Sequence, residues 1–177
     1  MTPLTQDVAR VVFIGIAATA AMDAWLLLLK RMNVPTINFA FVGRWIAHLA
    51  RGTWTHDAIA KAGPVHGELA LGWLTHYGVG IAFAGLMVAV GGVGWTRSPS
   101  LLPALLVGMA TVIAPLFVLQ PAMGAGIASS RTPTPARNCF RSLANHTVFG
   151  LGLYLAAILF EWVLSMTALL AAVRVST

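Results

Sequence analysis

Four long apolar runs separated by polar stretches organise the chain. They extend from Val8 to Leu29, Leu69 to Val90, Leu101 to Gln120 and Leu143 to Phe160. Each falls in the range of about 17–25 residues that crosses a bilayer as a helix. Ala18-Thr19-Ala20 resembles a signal-peptide cleavage site. The apolar run continues past it through Trp25 to Leu29 and its start is barely basic, so the segment reads as a retained span. Small residues from Gly15 to Ala21 suit close helix packing. In the third span, Pro103 fits a first helical turn and Pro115 predicts a kink. Beyond Phe160 the chain reads as a helical extension or a frayed tail.

Between the first two spans lies a long polar loop, residues 30–68. Within it, residues 38–51 place Arg44, His48 and Arg51 on one helical face and Phe41, Val42, Trp45, Ile46 and Leu49 on the rest. This predicts an amphipathic helix along the membrane interface, its charges solvated. The alternative use of Arg44 is as a clamp for an anion or lipid headgroup.

Composition agrees with the pattern. The chain of 177 residues is 58% hydrophobic and 9% charged, against about 25% charged in soluble domains. The expected fold is all-α and integral to the membrane, one domain over residues 1–177 and surrounded by lipid. The net charge of +6 is spread between the apolar runs, which reads as topology and not as nucleic-acid binding. Eight basic residues fall in loops 30–68 and 121–141: Lys30, Arg31, Arg44, Arg51, Lys61, Arg131, Arg137 and Arg141. Three, Arg10, Arg97 and Arg174, fall on the other side. The positive-inside rule makes those loops cytoplasmic and both termini periplasmic. With a single cysteine, Cys139, there is no internal disulfide and no cysteine-based metal cluster.

Polar residues inside apolar runs mark the candidate chemistry. At steps of four, Glu68, Gly72, His76, Gly80 and Ala84 lie on one face of the second span. Asn138, Ser142, His146 and Gly150 repeat the spacing at the fourth. The two halves therefore read as parallel pseudo-repeats with equivalent histidines. Asp23, in the first span, has no counterpart in the third. Asp23 and His76 both fall about 10 Å from the loop ends of their helices, so antiparallel neighbours bring them together. An interfacial pairing of Asp23 with Lys30 or Arg31 is the plainer alternative. The room beside Gly80 and Gly150 suits either a flat ligand or another helix. Glu161, near the far boundary, reads as an interfacial acid.

Gly43-Arg44-Trp45, His76-Tyr77-Gly78-Val79-Gly80, Gln120 through Gly126, and Arg141 through His146 to Tyr154 resemble a family of small bacterial inner-membrane proteins. That family carries a domain-of-unknown-function label. The resemblance covers nearly the whole chain and implies four spans and a bacterial inner membrane. It brings no activity with it.

Function is left to the residues. The first reading is a site for transport or binding of a small molecule, an ion or protons, formed by Asp23, His76 and His146. Gln120 stands at its rim, Glu68 is close by, and Arg44 and Arg131 guard the mouth. A homodimer would supply further spans. The second reading is a metal or cofactor site: His76 and His146 as axial ligands of haem b, or joined by Met22 and Met123 around copper. An intramembrane enzyme using His66, Glu68 and His76 comes last, because no nucleotide-binding loop, zincin or serine-elbow pattern occurs. The plainest reading is an accessory or assembly subunit of a larger membrane complex, its histidines hydrogen-bonded between helices.

Overall fold

The computed structural model describes residues 2–176 and is all-helical over them. Helix α1 spans Pro3–Arg31, α2 Phe39–Leu49, α3 Glu68–Gly91, α4 Gly94–Arg97 and α5 Leu101–Ala110. A π-helical turn, Pro115–Leu119, then leads into α6, Gln120–Ala122, and the last helix, α7, covers Pro135–Ser176. Four segments are long and apolar enough to cross a membrane: Leu4–Arg31, Glu68–Gly91, Leu101–Ala122 and Pro135–Val173. The protein is a multi-pass membrane protein. Exposed Leu27, Leu86, Leu106 and Leu155 face the lipid.

The ends of these helices follow local chemistry. Thr2 caps α1, its hydroxyl accepting from the Thr5 amide, and Asn38 caps α2 by accepting from the Ala40 amide at 3.0 Å. The kink expected at Pro115 is a π-helical turn. Proline has no N–H to donate and crowds the turn before it, and α5 accordingly ends at Ala110, with the π-helical turn following from Pro115. Helix α7 starts at Pro135, earlier than the apolar run at Leu143 suggests. Proline suits a first helical turn, and the polar residues that follow shorten the apolar run without breaking the helix. Loop 121–141 is correspondingly shorter than expected. At 42 residues α7 is about 63 Å long, and past Glu161 it carries exposed Trp162, Leu164, Met166 and Leu169. The chain after Phe160 is thus a helical extension. The Arg174 side chain and Thr177 lie outside the described residues.

Helix α1 packs along α3 and α7, and α7 along α5, whereas α3 and α5 barely touch. The main core joins Ile14 and Ala18 of α1, Ala84 and Met87 of α3, Ala104 and Val107 of α5, and Phe149, Leu153 and Ala157 of α7. In lipid such contacts stabilise by close packing, which small residues permit. A β-carbon on Gly80 would overlap the Thr19 hydroxyl, and one on Gly150 would lie 2.8 Å from the Ala104 carbonyl oxygen. The room left at Gly80 and Gly150 themselves is therefore taken up by neighbouring helices.

Helix α2 lies across the first turns of α3. A β-carbon on Gly43 would overlap the Glu68 carbonyl oxygen, and one on Gly72 the Phe39 carbonyl oxygen. Arg44 is buried here, not solvated. At the opposite end of the molecule Arg10 pairs with Glu161, and Arg97 with Asp7 at 3.1 Å. Glu161, expected as an interfacial acid, has Arg10 as its ion-pair partner.

Candidate functional site

Where α3 and the third span diverge, the structure holds a cavity of about 630 Å³. Its apolar surface comes from Met22 and Leu26 of α1, Val79 and Phe83 of α3, and Val118 and Leu119 of the π-helical turn. One wall is polar: Asn138, Ser142, Asn145 and His146 follow one another along a single face of α7. Val79 and Val118, on facing parts of the lining, are also solvent-exposed.

Both intramembrane histidines line this cavity. His76 Nε2 donates to Asp23 Oδ1 at 2.9 Å, and the Tyr77 hydroxyl donates to Asp23 Oδ2 at 2.8 Å. Asp23 is bound across the helix interface, and not to Lys30 or Arg31. It stands behind His76 and is not part of the cavity lining. The His76 ring also stacks against Phe39 of α2 at 4.4 Å between centroids. His146 is 8% exposed and its Nδ1 lies 2.8 Å from the Thr111 hydroxyl. The histidines therefore hold different partners, a carboxylate and a hydroxyl.

Gln120 reaches the cavity as well. Its Oε1 accepts from the Ser129 hydroxyl at 2.9 Å, and its amide nitrogen lies 3.5 Å from Ser142 Oγ. The other charged candidates lie elsewhere. Arg44 grips Glu68 with two parallel bonds, Nε to Oε2 at 2.8 Å and Nη2 to Oε1 at 2.7 Å. Its Nη1 donates to the Ile59 and Ala62 carbonyls at 3.2 and 3.0 Å. The hydrogen bonds to Glu68 raise the Arg44 pKa above its ordinary value. With its donors used inside the protein, Arg44 serves to dock α2 and the following loop onto α3. Arg131 is exposed in a separate surface depression with His56 and Asp57.

Two backbone bonds tie the loops together over this end of the molecule. The His56 amide donates to the Ala122 carbonyl at 2.9 Å and the Ile59 amide to the Met123 carbonyl at 3.1 Å. His48 Nδ1 and His56 Nε2 lie 2.8 Å apart beside them.

Sequence reading missed Tyr77, Thr111, Asn145 and Trp25. Tyr77 adjoins His76, and Asn145 adjoins His146, so adjacency was the available signal. Thr111 and Trp25 read as ordinary members of apolar runs. Glu68, His66 and His76 do not form a shared site: Glu68 is held by Arg44, His76 by Asp23, and His66 is exposed. Among the described residues, no group of three or more His, Cys, Asp and Glu side chains gathers to hold a metal.

Residues 12–160 match the model of a family described as protein of unknown function (DUF2938). No curated protein and no solved structure matches the chain. The match covers all but the two ends, and the chain belongs to the DUF2938 family.

Proposed function

We propose that the protein binds a small amphipathic molecule in the cavity between α3 and the third span, and that binding serves transport across or release into the membrane. The observation that carries this reading is the cavity itself. It has an apolar floor and one polar wall on α7. Ligand sites are commonly apolar concavities with a few placed polar groups. Polar side chains within spans also face internal cavities by default. The bacterial inner membrane is the proposed setting, and a homodimer or larger complex the proposed assembly.

The test is to identify what co-purifies from membranes in mild detergent, by mass spectrometry. Wild type is compared with Val79→Trp and Ala114→Trp, two substitutions that fill the cavity. A molecule retained by wild type and lost from both variants supports the reading. The same set of molecules on all three proteins rejects it.

One observation favours a second reading. Met22 and Met123 line the cavity together with His76 and His146. Thioether and imidazole donors suit Cu(I) better than hard cations. Metal analysis of the same preparations tests this, with copper expected in wild type and absent from a Met22→Leu, Met123→Leu variant.

A further inference from the structure

We infer that the occupant of the cavity presents a hydroxyl group to His146 and Asn145, and so belongs to the amphipathic alcohols or phenols. This rests on the reading of the cavity as a binding site.

Thr111 fixes the tautomer of His146. Its hydroxyl has one proton, and the Gly108 carbonyl oxygen lies 2.5 Å from Oγ1. A carbonyl oxygen only accepts, so the Thr111 proton points there. Towards His146 Nδ1, at 2.8 Å, the same oxygen can then only accept. Nδ1 must carry the ring proton, which in the neutral ring leaves Nε2 with a lone pair. No described residue donates to Nε2, and His146 lines the cavity. The ring is thus set as an acceptor for whatever enters.

Asn145, the preceding residue on α7, is fixed in the opposite sense. The Trp25 indole N–H lies 3.0 Å from Asn145 Oδ1 and can only donate. The amide oxygen is therefore turned to Trp25, and the NH2 group is what remains to offer. Asn145 lines the same cavity. Side by side, the wall presents an acceptor and a donor.

A hydroxyl group satisfies both, donating to His146 Nε2 and accepting from the Asn145 amide. A carboxylate would set its own lone pairs against Nε2. An ammonium would leave the Asn145 NH2 unpartnered, and leaving buried polar groups unpaired weakens binding. Arg141, further along α7, also lines the cavity and gives an anionic head its strongest alternative site.

Three probes with one apolar body separate these cases: 4-octylphenol, its methyl ether and 4-octylbenzoate. Retention of each by the protein in lipid nanodiscs is measured against empty nanodiscs. The phenol should bind about tenfold more tightly than the ether, the equivalent of one hydrogen bond. His146→Phe should erase that preference. Thr111→Val, which removes the group fixing the ring, should reduce it, and Thr111→Ser should preserve it. Equal binding of phenol and ether, both lost in Ala114→Trp, overturns the hydroxyl assignment and leaves the cavity reading standing. Tighter binding of the benzoate overturns it in favour of an anion at Arg141. Retention of none of the three overturns both.

Discussion

Asp23 on α1 accepts a hydrogen bond from His76 on α3 at 2.9 Å, and that carboxylate is what orients the imidazole at the cavity wall. The pair is half-buried, with His76 15% and Asp23 20% exposed. Interhelical polar contacts in membranes average about 0.6 kcal/mol and reach about 1.7. Asp23→Ala should therefore lower stability by about that amount and leave the protein inserted. Asp23→Asn keeps one acceptor oxygen for two donors, His76 and Tyr77, and should cost less. Thermal unfolding in detergent measures both. A collapse of folding in Asp23→Ala would show that the pair holds the helices together rather than orienting the ring.

Arg44 and Glu68 make another buried polar contact between elements, and its geometry is a planar fork. Lysine retains the charge but cannot form two parallel bonds or reach both loop carbonyls. Arg44→Lys should therefore lower the melting temperature nearly as far as Arg44→Ala. Equal stability of Arg44→Lys and wild type would mean that charge alone docks α2.

Much of this arrangement was legible in the sequence, for identifiable reasons. The spans follow from apolar length, and the encounter of Asp23 with His76 follows from equal depth on neighbouring antiparallel helices. Arg44 was harder. Its partner Glu68 lies beyond the intervening loop, and helical periodicity within residues 38–51 carries no information about it. The roles of Gly43 and Gly72 were hidden for the same reason, because a glycine required by another backbone looks like any other glycine. His146 was found, but its partner Thr111 sits unmarked among apolar residues of the third span. The N-terminal turns of α7 escaped notice because hydropathy reports lipid contact, and polar residues continue a helix without extending an apolar run.

The crossing of α2 over α3 offers a direct test of close approach. The Phe39 carbonyl oxygen occupies the place a side chain on Gly72 would need, and backbone cannot swing aside as a flexible side chain can. Gly72→Ala should destabilise by about 1–3 kcal/mol, the usual range for overpacking. Gly78 has nothing near its β-position, so Gly78→Ala should be neutral or slightly stabilising. Thermal unfolding of the two variants side by side decides the matter. Equal effects would mean that α2 does not sit against α3 at this distance in the membrane.

Most basic residues of the chain gather at one end of the bundle and should set its orientation. The structure gathers the end of α1, the start of α3, α6 and the start of α7 at one end, through Trp25 with Asn145, Arg44 with Glu68, His56 with Ala122, and Gln120 with Ser142. Lys30, Arg31, Arg44, Arg51, Lys61, Arg131, Arg137 and Arg141 belong to that end, and Arg10 and Arg97 to the other. Among the described side chains, the two basic residues of the sparse end have acidic partners, Glu161 for Arg10 and Asp7 for Arg97. Lys30, Arg31 and Arg51 at the rich end are exposed. Orientation depends on the lysines and arginines flanking the spans, with acidic residues contributing little, so the bias stands whether or not the pairs form. The loop-rich end should face the cytoplasm. Alkaline phosphatase fused after Thr177 should be active, and a green fluorescent protein fused there should stay dark. A second phosphatase fusion within the first loop, after Arg51, should be inactive. The reverse result at both positions would place the cavity wall of α7 towards the periplasm, and entry of its occupant would then have to be sought from that leaflet.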